Sequence, residues 1–197
     1  LGSLPNPKNW LGATEPSVKA QALLSAEAIT VEYGRQSRVG QFLFPKPTHV
    51  GAEDINLKVL EGELVGLVGE SGSGKSTIAK VLSGLQDFDG VIRFSQQNFA
   101  SRSNIDRNYR RNVQIVFQHP DASLNPRQRV REILSRPLKL YDIVPPEKRV
   151  GRVEQLLEKV RLPIEFADRF PHQLSGGEKQ RVAIARTLLS NPKLLVM

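Results

Sequence analysis

The chain has 197 residues, no cysteine and a formal charge of +8, with a pI near 10.0. That length makes one ordinary domain with enough apolar residues for a core. The lack of cysteine excludes disulfides and thiolate metal sites and suits a reducing compartment, and no stretch approaches the about 20 consecutive apolar residues of a membrane-spanning helix. The positive balance admits nucleic acid or an anionic bilayer face as a neighbour. Nucleic acid is disfavoured, because the arginines between Arg102 and Arg136 share their segments with Asp and Glu and have no interleaved stacking aromatics.

Residues 1 to 24 are rich in Pro, Gly, Asn and Ser without period and open with neither a secretory signal nor an initiator methionine. They are expected to be a linker or mobile N-terminus, with the domain itself at 25–197. Ala28 to Tyr33 and Ile55 to Val59 alternate like half-buried strands, and the basic, proline-containing stretch 34–48 between them reads as an exposed excursion. Leu64 to Val68 is almost wholly apolar and predicts a strand buried on both faces. Directly after it, residues 69–77 read Gly-Glu-Ser-Gly-Ser-Gly-Lys-Ser-Thr and fit G-x-x-x-x-G-K-S/T. In such a loop successive backbone N–H groups wrap phosphates, the lysine reaches the outer ones and the following serine holds Mg²⁺. Gly69, Ser71, Gly72, Ser73, Gly74, Lys75, Ser76 and Thr77 are therefore the candidate cradle for a nucleoside triphosphate. A helix is predicted next, with Ile78, Val81, Leu82 and Leu85 on one face and Gly84 as its stop. It would place a positive helix end against the phosphates.

Val91 to Phe94 predicts a further strand, and Val113 to Phe117 an apolar strand ending at Gln118. From about 127 to 170 the pattern turns helical, with a stripe of Val150, Val153, Leu157 and Val160 bounded by prolines. Residues 174–181 read Leu-Ser-Gly-Gly-Glu-Lys-Gln-Arg. Ser175 and Glu178 fit a capping box at a helix start, which needs no glycine. Gly176 and Gly177 strip side chains from the first turn, so an anion can approach its N–H groups. The helix carries Val182, Ile184, Ala185, Leu188 and Leu189 on its apolar side, and Leu194 to Met197 predicts a last buried strand.

The two glycine motifs in this order resemble those of the ATP-binding domain of ABC transporters, whose Walker A loop and Leu-Ser-Gly-Gly signature they match. The segment ending at Gln118 looks like the family's Q-loop. The stretch from Phe117 to Pro126, with Phe170 to Leu174, looks like the dipeptide, oligopeptide and nickel importer subfamily. The resemblance implies a mixed α/β fold: a P-loop NTPase with a RecA-like core, an antiparallel β part and a helical subdomain. It implies an ATPase with ATP and Mg²⁺ as ligands, Lys75 and Gln118 as catalytic residues, and Ser76 and Gln118 at the metal. Ser175, Gly176 and Gly177 would close on ATP held by a second ATP-binding domain in a head-to-tail dimer. Tyr33 stands where the family's adenine-stacking aromatic belongs, though a tyrosine there is equally an ordinary strand residue. Implied partners are transmembrane permease subunits and, indirectly, an extracytoplasmic solute-binding protein, with the chain peripheral on the cytoplasmic face of the membrane. The family's Walker B aspartate and catalytic glutamate would follow Met197, so the sequence reads as a fragment expected to be inactive alone. His172, beside the signature, reads as orienting that loop rather than as a base. A soluble ABC-type ATPase acting on nucleic acid or ribosomes is the alternative.

Overall fold

The computed structural model describes residues 22–34 and 49–197. The expected basic excursion and most of the expected linker lie outside these residues. The linker boundary moves, however. Strand β1 (Ala22–Tyr33) begins before residue 25, and Leu24 is completely buried, so residues 22–24 belong to the folded sheet.

β1 sits inside a four-stranded antiparallel sheet with β2 (His49–Leu60), β3 (Asp89–Phe94) and β4 (Gln97–Phe99), in the order β2-β1-β3-β4. Its inward residues are Leu24 and Ala26, then Ile29 and Val31. That spacing skips a residue at Ala28, which has a φ of 50° and donates its N–H to Asn56 Oδ1 at 3.0 Å. One inserted residue flips the face on which the following side chains lie. This bulge lets both halves of a 12-residue strand bury their apolar residues on the same core.

Helix α1 (Lys75–Leu82) buries Ile78, Val81 and Leu82 against that core. It ends as predicted, with Gly84 at a φ of +67°, but Leu85 lies beyond the helix and is 45% exposed. The short helix α2 (Arg107–Asn112) inserts Tyr109 beneath the sheet. There the ring meets Phe94 and Phe99 edge-on, with centroids at 5.3 and 4.9 Å. Its hydroxyl donates to the Leu82 carbonyl at 2.6 Å, occupying a carbonyl at the end of α1. Burial pushes the Tyr109 phenol well above its ordinary range, against a smaller opposing effect of Arg110.

A second apolar core holds the helical lobe: α3 (Val130–Leu140), α4 (Arg149–Lys159) and α5 (Gly176–Leu188). Leu134, Leu138, Leu157 and Val182 are fully buried at its centre. Of the predicted stripe, Val153 and Leu157 point inward, whereas Val150 in the first turn of α4 is 67% exposed. Strands β5 (Val113–Ile115) and β6 (Leu194–Val196) pair in parallel between the lobes, and Val116 extends the ladder by donating to Val196.

One predicted strand is absent. Leu64 to Val68 has no regular structure, and Leu64 and Val68 are 81% and 94% exposed. An apolar run becomes a buried strand only where neighbouring strands take its N–H and C=O groups. Among the described residues none lies alongside it, and β5–β6 is the only parallel pair.

Candidate functional site

The loop that precedes α1 owes its path to glycine. Gly72 and Gly74 take φ of +84° and +87°, a region in which other residues are strained. Gly74 is constrained twice, because a Cβ there would stand 2.5 Å from the Gly51 carbonyl oxygen on β2. α1 therefore starts hard against the sheet, and the N–H groups of its first turn have no partner within the helix. Lys75 folds back over the same loop and donates from Nζ to the carbonyls of Gly69, at 2.8 Å, and Glu70, and to Ser73 Oγ at 3.2 Å. A cation, a helix start and two left-handed glycines thus converge on one small surface, an arrangement suited to phosphate oxygens. Ser71 and Ser76 are exposed on it and Thr77 is half-buried.

Tyr33 closes one side of this surface. Its hydroxyl lies 2.9 Å from Thr77 Oγ1, and its ring rests so closely on Gly51 that a Cβ there would stand 2.3 Å from Cε2. The residue remains 37% exposed. An ordinary strand tyrosine and an aromatic wall beside the phosphate loop are here the same residue.

The second glycine motif is built differently. Ser175 caps α5 and completes the expected box: its N–H donates to Glu178 Oε2 at 2.7 Å, and the Glu178 N–H to Ser175 Oγ at 3.4 Å. The Ser175 amide, more than its hydroxyl or nearby arginines, holds the Glu178 carboxyl below the usual carboxylate range. A Cβ on Gly176 or Gly177 would meet nothing within 4 Å. Packing among the described residues therefore gives no reason for either glycine. Just upstream, His172 lies flat on Phe170 with centroids at 5.6 Å, and the Arg129 guanidinium stands 4.9 Å from the same ring. That stack holds the His172 ring at the approach to the signature.

Gln118 is exposed just beyond β5, in a segment tied to α5 by side chains that the sequence reading passed over. Lys179 pairs with Asp121 at 2.7 Å, Gln180 donates to the Phe117 carbonyl at 3.5 Å, and Arg186 donates to the Ser123 carbonyl. The spacing of Lys179 and Arg186, two turns apart on one helix face, was the available signal. The segment that carries Gln118 is thereby fastened to the helix that begins with the signature. Among the described residues, the hydrogen bonds of the phosphate loop stay among residues 69–78 and Tyr33, and those of Ser175 stay at its own helix start. The two motifs face different contacts.

A cleft of about 300 Å³ beside this segment gathers Arg110, Arg136 and Arg186 with Phe117 and Leu140, and no carboxylate lines it. Burial, and to a lesser extent Arg136, pushes the Arg186 guanidinium below its usual range. Among the described residues no group of His, Cys, Asp and Glu forms a metal cluster, and no helix is long and apolar enough to cross a membrane.

Residues 52–197 match the sequence model of the ABC transporter family. Over 147 residues the chain is 46% identical to a Brucella abortus ATP-binding protein named for peptide import, covering 73% of this chain and 44% of that protein. It is 39% identical over 181 residues to the nickel import ATP-binding protein NikE of Brucella abortus, covering 89% of this chain and 65% of that one. It is 40% identical over 147 residues to the oligopeptide transport ATP-binding protein AppF of Bacillus subtilis, covering 73% and 45%. The chain thus spans less than two thirds of the length of each. Among solved structures it resembles the dimeric ATP-binding cassette MJ0796 bound to ADP and Pi, with a TM-score of 0.71, 29% identity and coverage of 87% of this chain and 72% of that one. It also resembles cbiO1 of Clostridium perfringens, part of the transporter complex cbiONQ, with a TM-score of 0.65, 28% identity and coverage of 88% and 64%.

Proposed function

Since the chain belongs to the ABC transporter ATP-binding family, with its P-loop NTPase fold, antiparallel sheet and helical lobe, we propose that it is the nucleotide-binding part of an importer for peptides, nickel or a related small solute. The observation that carries this reading is the pair of glycine motifs, one shaped by its own chain and the other not. Phosphoryl transfer is chiefly a matter of positioning and charge stabilisation. Lys75 and the first-turn amides of α1 hold the β and γ phosphates, and Tyr33 offers its exposed ring to the adenine. Mg²⁺ supplies charge neutralisation on the triphosphate, and Ser76 and Gln118 offer it the hard oxygen donors it prefers. Gln118 reports the state of that site to α5 through the Lys179, Gln180 and Arg186 contacts.

Ser175, Gly176 and Gly177 act on a second domain. Their open helix start accepts the phosphates held by a facing cassette in a head-to-tail dimer, a reading supported by the dimeric state of the MJ0796 cassette. The arginine-lined cleft beside Gln118 is the surface we assign to permease subunits, which would hold the chain on the inner face of a membrane and couple it indirectly to a solute-binding protein.

Titration with a fluorescent ATP analogue tests the cradle. Lys75→Ala removes a charge-assisted phosphate contact worth about 1.5–3 kcal/mol, so affinity should fall by roughly tenfold to more than a hundredfold. An unchanged affinity would overturn the assignment.

A further inference from the structure

A threonine hydroxyl has one hydrogen to give and two lone pairs to receive with. Thr77 stands in the first turn of α1, two residues after Lys75, and its Oγ1 is 2.9 Å from the Tyr33 hydroxyl. The phenol is the more acidic of the two hydroxyls and hence the better donor. If Tyr33 gives its proton to Oγ1, the hydrogen of Thr77 is free to point elsewhere, and an anionic oxygen at the helix start is the strongest acceptor it can meet.

The contact is held by backbone as well as by the two side chains. The Tyr33 ring lies on Gly51 in space that any Cβ would fill, and the Gly51 carbonyl fills the space a Cβ on Gly74 would need. Tyr33, Gly51 and Gly74 are thus packed in series, from the end of β1 through β2 to the loop. A shift of the ring would be felt at the helix start.

From this constellation we infer that Tyr33 is a positioning residue for the phosphate site: its hydroxyl donates to Thr77 and directs the Thr77 hydroxyl toward the phosphate chain. This is separate from any service of the ring to the base, so one side chain acts on both ends of a nucleotide. The inference rests on reading residues 69–77 as a triphosphate cradle, and the experiment distinguishes failure of that reading from failure of the relay.

The probes are MgATP and inorganic tripolyphosphate, which has no base, each titrated calorimetrically into the full chain and into Tyr33→Phe, Tyr33→Ala, Thr77→Val, Thr77→Ser, Gly51→Ala, Lys75→Ala and the double variant Tyr33→Phe/Thr77→Val. Tyr33→Phe keeps the ring and should weaken both ligands by the same factor, about three- to tenfold. Tyr33→Ala should match it on tripolyphosphate and lose more on ATP. Thr77→Val should weaken both ligands, Thr77→Ser should restore most of that loss, and the double variant should be no worse than Thr77→Val. Gly51→Ala deletes neither hydroxyl but drives the ring, and its hydroxyl with it, away from Thr77, so on tripolyphosphate it should behave like Tyr33→Phe. Melting temperatures establish that each variant is folded.

Wild-type affinity of Tyr33→Phe for both ligands would overturn the relay, whatever the ring does for ATP. Full additivity in the double variant would do the same. If Lys75→Ala binds tripolyphosphate as tightly as the unaltered chain, the cradle reading fails instead.

Discussion

Replacing Gly177 separates what the fold needs from what the proposed nucleotide sandwich needs. Gly177 lies in the first turn of α5, inside a complete capping box, and a Cβ there would meet nothing within 4 Å. Glycine within a helix costs up to about 1 kcal/mol relative to alanine. For a protein of this size that corresponds to about 2–4 °C in melting temperature, so Gly177→Ala should be neutral or slightly stabilising. Gly177→Asp adds negative charge where the helix dipole favours it, worth about 0.3–1 kcal/mol, and the isolated chain should again lose nothing. Facing a triphosphate, the same carboxylate is repelled. Two unit charges at about 4 Å and an effective dielectric near 20 cost about 4 kcal/mol, close to a thousandfold in equilibrium constant.

Three measurements on Gly177→Asp follow: melting temperature, MgATP affinity of the single chain, and nucleotide-dependent pairing of complete cassettes by sedimentation. The first two should match the unaltered protein and the third should vanish, together with hydrolysis by the complete transporter. Loss of ATP affinity in the single chain as severe as that in Lys75→Ala would place the signature in the chain's own site and refute the sandwich. A melting temperature lower by several degrees would show a structural duty that the open surroundings of Gly177 do not reveal.

Tyr109→Phe strips the partner from the Leu82 carbonyl, and leaving that buried acceptor unmade should cost about 1–3 kcal/mol, read from urea denaturation. Because burial raises the folded-state pKa of Tyr109 above its ordinary 10.0, its contribution to stability is complete below pH 10 and declines as pH rises from there toward the folded value. The unaltered protein should therefore lose stability in alkali more steeply than Tyr109→Phe, and parallel profiles would refute the assignment. Lys179→Asp should weaken the coupling between Gln118 and α5, lowering nucleotide-dependent pairing while leaving MgATP affinity of the single chain in place. Adding Asp121→Lys should recover the pairing, and no recovery would mean that the 2.7 Å ion pair does not carry the coupling.

What could be read in advance depended on whether a residue's reason lay nearby in the chain. The capping box of α5 was legible because Ser175 and Glu178 satisfy each other within one turn. The stop at Gly84 and the strands around Ile29 and Ile92 were legible for the same cause: a local backbone requirement, or a side-chain period that matches one core. Leu64 to Val68 shows the opposite case. Its apolar run states a demand for partners on both edges, and no periodicity reports whether those partners are in place. The Ala28 bulge was hidden because the alternation on either side of it is sound and only the phase changes. Lys179, Gln180 and Arg186 escaped because their partners lie 58 to 63 residues away.

The glycines carry this distinction to its useful end. Gly72 and Gly74 are explained by positive φ, and Gly74 also by the Gly51 carbonyl against it; any protein that bends its chain this way would need them. Gly176 and Gly177 sit in helical backbone with open space where side chains would be. Helix propensity argues against them and nothing in the described chain argues for them. A residue that costs stability where it stands, and whose described surroundings supply no cause, directs attention to another molecule. The same residue type thus serves the fold at one motif and an encounter at the other, and the space around each Cα separates the two uses.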